Sequence, residues 1–101
     1  MGNSKKAIQL SAHDNVLIVC QDIKAGEILR HNNIDYVIEK SISIGHKIAV
    51  RDIVLGENII KFNIPIGSAI SNIKKGAHVH VHNIKSDFIF TYTLEQEPEN
   101  I

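Results

Sequence analysis

A short turn element recurs along this chain and narrows the folds open to it. Asp22-Ile23-Lys24-Ala25-Gly26, Asp52-Ile53-Val54-Leu55-Gly56 and Asn72-Ile73-Lys74-Lys75-Gly76 share the form Asp/Asn-Ile-x-x-Gly, and each reaches an Asn-Ile pair seven positions after its glycine. The Asp or Asn side chain can accept a backbone N–H within the turn. The glycine supplies a positive φ that a side chain resists, and the isoleucine is a buried anchor. Each copy therefore reads as a strand end, a turn and a new strand. The copies are unevenly spaced, so they form a repeated turn device inside one domain and not a solenoid.

Between and beyond the turns lie short apolar or alternating segments. Strands are predicted over 15–20, 27–29, 36–39, 47–51, 58–62, 78–82 and 88–93, with 66–70 a short piece able to bend. Pro65 cannot donate to a ladder and is expected to stop the strand over 58–62. No segment sustains a 3.6-residue period, and 34–42 and 68–73 offer at most a helical turn. The fold class is all-β: a compact domain of many short strands with little helix. Residues 1–14 read as a flexible N-terminal tail, 15–94 as the domain and 95–101 as an acidic C-terminal tail.

With 101 residues, of which 44% are hydrophobic, the chain can build one modest core; a domain this size buries roughly two-thirds of its unfolded surface. Eleven basic side chains balance eleven acidic ones, so no basic field exists to hold a nucleic-acid backbone. No apolar run is long enough to cross a bilayer. The single cysteine, Cys20, excludes an internal disulfide and reads as a buried small hydrophobe. With no signal-like segment at the start, a cytoplasmic location is the expectation.

The chemistry concentrates in Gly76-Ala77-His78-Val79-His80-Val81-His82-Asn83. On a strand, His78, His80 and His82 would project from one face and Val79, Val81 and Asn83 from the other. A lone histidine is ordinarily just solvated, but three neutral imidazoles on one face can bind a metal or move protons near neutral pH. Residues two apart on a strand stand ~7 Å apart, so two of the three plus a group from elsewhere make the better constellation. His46, at a turn ahead of a strand, is one candidate, although alone it reads as a loop histidine. Lys61 sits mid-strand and can face solvent or meet a carboxylate. His13 and His31 read as surface residues. There is no Cys-x-x-Cys pair, phosphate-binding glycine loop or nucleophile elbow.

Gly45-His46-Lys47-Ile48-Ala49, Asp52-Ile53, Gly56-Glu57, Ile60-Lys61-Phe62, Ile66-Gly67 and the run from Gly76 to Asn83 together resemble the small N-terminal, SAF-type domain of the altronate and galactarate dehydratases. The small subunit of sulfolactate sulfo-lyase is similar. Where that family has Lys-Tyr-Gly, this chain has Lys61-Phe62-Asn63 and so lacks a phenol hydroxyl. The resemblance implies a β-clip fold and a part of an enzyme whose larger subunit or domain holds most of the catalytic apparatus. It implies dehydration of a sugar acid or hydroxy acid, or expulsion of sulfite, assisted by a divalent metal such as iron(II) or manganese. His46, His80 and His82 are then the expected catalytic residues, His78, His80 and His82 the expected metal ligands, and Lys47, Lys61 and Asn83 the expected substrate contacts. The competing expectation is a non-catalytic SAF-type module that binds carbohydrate or protein. The aromatic segment 88–93 is a candidate for pairing with a second copy of the chain, a homo-oligomer.

Overall fold

A computed structural model describes residues 5–87, and every element named there is a β-strand: β1 (Ala7–Ile8), β2 (Val16–Val19), β3 (Ile28–His31), β4 (Ile34–Val37), β5 (Lys47–Ala49), β6 (Asn58–Lys61), β7 (Ile64–Ala69), β8 (His78–Val79) and β9 (Ile84–Lys85). The all-β expectation holds. The segments 34–42 and 68–73, where a helical turn was conceivable, contain β4 and the end of β7 instead. The predicted strand over 88–93 lies outside the described residues.

Four Ile-x-x-Gly turns carry the architecture, one more than the sequence pattern reveals. Gly26, Gly45, Gly56 and Gly76 all hold φ between 86° and 92°. The added member is Ile42-Ser43-Ile44-Gly45, preceded by Ser41 in place of Asp or Asn. The turns work in pairs. Ile23 and Ile42 exchange backbone hydrogen bonds of 2.9 and 2.8 Å, and Ile53 and Ile73 exchange bonds of 2.8 and 2.7 Å. Asp22 Oδ1 accepts from the N–H of Ile44, and Asp52 Oδ1 accepts from the N–H of Lys75. Glu27 and Glu57 each accept a hydrogen bond from the backbone three residues earlier, at Lys24 and Val54. The acidic residue thus serves the opposite turn of its pair while the glutamate closes its own.

Each pair frames a hairpin. β3 and β4 join through Asn32-Asn33, and β6 and β7 join through Phe62-Asn63, all four at positive φ. Phe62-Asn63 ends β6, so Pro65 does not stop that strand as expected. Pro65 lies within β7, opposite Ile60 beside a register shift at Ile59/Ile60; a bulge tolerates a residue without an N–H. Asp14, buried, accepts from the N–H groups of both Phe62 and Asn63 at 2.7 Å.

An antiparallel sheet ordered β1-β2-β5-β8 runs between the hairpins. Its pleat sorts the interior into two cores. Ala7, Leu17, Val19 and Ile48 pack with Leu29, Tyr36 and Ile38 of the first hairpin module, while Val16, Ala49 and Val79 pack with Ile53, Ile59 and Ala69 of the second. Both faces of β2 and β5 are therefore covered, which is why Ile48 and Ala49 are buried side by side. The domain also starts earlier than residue 15: Ala7 and Ile8 of the expected tail pair with Val19 and Ile18. Cys20 is half-buried, not buried as expected, because it lies just past the end of β2.

Candidate functional site

The expected histidine strand over 78–82 ends after Val79. Asn83 causes the break. Its side chain is buried, its Oδ1 accepts from the N–H of His80 (2.9 Å), and its Nδ2 donates to the carbonyl of His78 (2.8 Å). The N–H groups of Asn83 and Ile84 both return to the carbonyl of His80. The backbone turns over residues 80–83, and Val81, expected on the same face as buried Val79, is 75% exposed. Asn83 therefore shapes the loop from within, through one hydrogen bond accepted and one donated by its amide, and it also lines the pocket beside His78 and His82.

The turn does not scatter the imidazoles. His78, opposite Ile48 on β5, is the hub. His46, in the Gly45 turn leading into β5, reaches it with Nδ1 2.9 Å from His78 Nε2. The His80 ring lies 4.5 Å from the His46 ring and 5.3 Å from the His78 ring, centroid to centroid. Ligand nitrogens of His46, His78 and His80 all lie within 4.8 Å of one another. His82 packs on His78 at 5.2 Å and is exposed. The converging trio is thus His46, His78 and His80, and His82 stands outside it. His13 is exposed, and His31 keeps a buried Nε2 without a hydrogen-bond partner, away from the cluster on β3.

Burial, with His46 next in weight, holds His78 far below the usual histidine range, at about 4. His80 is shifted down as well, by desolvation first and then by His46 and Lys47. Both shifts favour the neutral imidazole, the form that can offer a lone pair to a ligand. Lys47 is itself lowered, by burial and then by nearby Lys61. Lys47 faces the side of the sheet occupied by Val79, and His78 faces the side occupied by Ile48. The two lysines expected at the site therefore flank the histidines from the second-hairpin side.

On the other side lies a pocket of ≈ 330 Å³, floored by Ile42, Ile73 and Gly76 and walled by His78, His82, Lys40, Lys74 and Lys75. These three lysines escaped sequence reasoning. Lys74-Lys75 was legible only as turn filler, and Lys40 joins it through the pairing of the Ile42 turn with the first module.

The chain belongs to the altronate/galactarate dehydratase SAF domain family, whose pattern it matches over residues 5–87. It is 37% identical over 93 residues to the altronate dehydratase of Bacillus subtilis, covering 88% of this chain and 19% of that enzyme. It is 36% identical over 80 residues to the altronate dehydratase of Escherichia coli, covering 79% and 16%. It is also 34% identical over 76 residues to the (2R)-sulfolactate sulfo-lyase subunit alpha of Chromohalobacter salexigens, covering 69% of this chain and 81% of that subunit. The chain thus spans less than a fifth of the dehydratases' length but most of the sulfo-lyase subunit.

Proposed function

We propose that this chain is the SAF component of a lyase that acts on a hydroxy acid, a hydro-lyase of the altronate type or a sulfo-lyase, completed by a large subunit. The observation that carries this reading is the convergence of His46, His78 and His80 from two separate turns, in a chain whose relatives are one piece of such enzymes.

The trio fits a divalent ion. Two imidazole nitrogens bound to one ion at about 2.1 Å and a right angle stand about 3 Å apart, close to the His46–His78 separation of 2.9 Å. His80 offers a third nitrogen within 4.8 Å of the other two. An all-imidazole set favours iron(II) or zinc over manganese, which prefers oxygen ligands. Such an ion supplies Lewis-acid stabilisation of the charge that develops on the substrate carboxylate and α-hydroxyl.

The remaining groups take the other tasks. His82 is the imidazole outside the trio, exposed beside the pocket, and it is the residue to exchange a proton with the substrate. In the reaction the C–H bond next to the carboxylate breaks and its electron pair forms the carbon–carbon double bond. The β C–O or C–S pair then leaves, as water after protonation or as sulfite. Lys47 and Lys61 offer positive charge to the carboxylate from one side of the cluster.

Titration of cobalt(II) into the purified chain tests the trio, with bound metal counted per chain. One ion is expected, lost in His46→Ala and His78→Ala and kept in His82→Ala. Reconstituted with its large subunit, His82→Ala should lower turnover by about 100-fold or more. Metal binding indifferent to His46 and His78 would refute the assignment, and full turnover of His82→Ala would remove that residue from the reaction.

A further inference from the structure

We infer that the lysine-walled pocket beside His78 and His82 is the docking site of the chain's own acidic segment, Leu94-Glu95-Gln96-Glu97-Pro98-Glu99. The inference does not depend on the lyase reading above.

Charge, pocket chemistry and tether length point to this occupant. All eleven basic residues fall within 5–87, but only eight of the eleven acidic ones do. The other three are Glu95, Glu97 and Glu99, so this segment carries the negative charge that the domain lacks. Within the domain, Lys6, Arg30, Arg51 and Lys85 have carboxylate partners. Lys40, Lys74 and Lys75 have none among the described residues, and they stand together around one pocket against a single acid, Glu39. The fold places Lys75 in particular. Its Nζ lies 5.7 Å from the centre of the buried Tyr36 ring, and its N–H donates to Asp52 Oδ1 at 2.9 Å.

The pocket is not purely cationic. Ile42 and Ile73 give it an apolar floor, and exposed Val37 gives it an apolar rim. A volume of ≈ 330 Å³ admits the Leu94 side chain with a neighbouring carboxylate, whereas a small inorganic anion would leave the floor uncovered. The tether also begins at the pocket. Asn83 lines it, and Leu94 follows eleven residues later, a reach of up to about 35–40 Å. Exposed ion pairs are individually weak and screened by salt. A tether this short holds the segment at an effective concentration on the order of millimolar, where weak contacts suffice. The docked segment covers the side of His82 that borders the pocket.

NMR of the full chain tests the contact at the His82 ring protons and at the amides of Glu95, Gln96 and Glu97. In Glu95→Gln/Glu97→Gln/Glu99→Gln the His82 signals should shift at low salt. In 1 M salt, where the Debye length is about 3 Å, the wild-type His82 signals should move to the position of that variant. Lys74→Gln/Lys75→Gln should shift the three amides, and Lys5→Gln/Lys24→Gln, at lysines outside the pocket lining, should not. His82 signals indifferent to the glutamates would overturn the inference. So would equal amide shifts from both lysine pairs, which would mean diffuse attraction to the whole domain. Shifts that grow with protein concentration would give the pocket to the acidic segment of a second copy and overturn the contact within the chain.

Discussion

At the scale of the residue, His78 shows how position outweighs residue type. Six histidines occur in the chain, yet His78 alone sits between a covered sheet and three other imidazoles, and it is held at about 4. The unfolded chain protonates this residue near pH 6.5, so between that value and about 4 the unfolded state binds more protons than the folded one. Stability therefore falls on acidification through this window. The urea midpoint should drop between pH 7 and pH 5, above the carboxylate range, and the drop should be smaller in His78→Gln. Identical slopes in the two proteins would show that His78 is not held neutral by the fold. Phe62 is the converse case. It is 63% exposed at φ 54°, a conformation that L side chains resist, while the sister hairpin has Asn32 at the same place. Phe62→Asn should stabilise the chain by about 0.5–1 kcal/mol in thermal or urea unfolding. A loss of stability would mean that the phenyl ring packs more usefully than its exposure indicates.

At the scale of the element, the histidine loop is defined by its anchor. Alternation of His and Val over 78–82 reads as a strand, and that reading fails because Asn83 offers the backbone a competing set of hydrogen bonds. Asn83→Ala strands the N–H of His80 and the carbonyl of His78 in a half-buried setting, an expected cost of about 1–3 kcal/mol. Because the same bonds aim His78 and His80, cobalt binding should weaken together with stability, and Asn83→Asp, which keeps the acceptor, should retain more of both. Unchanged cobalt affinity in a folded Asn83→Ala protein would show that the loop is held by other means. The repeated turns are the opposite lesson. Three were legible because they share Asp or Asn, Ile and Gly at fixed spacing. The Gly45 turn went uncounted because Ser41 stands where the others carry Asp or Asn, although its hydroxyl serves the opposite turn in the same way.

At the scale of the whole molecule, two hairpin modules share one sheet. Ile48 and Ala49 are adjacent in β5, yet each faces a different core. Neither core can lose its sheet without exposing the other, so the domain should unfold as one unit. Ile48→Ala in the first core and Ile59→Ala in the second should each cost about 2–5 kcal/mol. Both should lower one common transition in calorimetry and circular dichroism. Separate transitions, one moved by each substitution, would mean that the modules are independent.

The same scale separates what could be read along the chain from what could not. Short strands, glycine turns and an all-β class are local matters, set by side-chain period and by φ preferences, and they stand in the sequence itself. The four histidines that cluster, His46, His78, His80 and His82, were singled out there too. Which three imidazoles converge depends on the pairing of β5 with β8 and on a turn closed by Asn83, so it is a non-local outcome. The separation of Lys47 and Lys61 from Lys40, Lys74 and Lys75 arises in the same way. It follows from which face of a shared sheet each residue meets, and a pleat acquires faces only once its strands have neighbours.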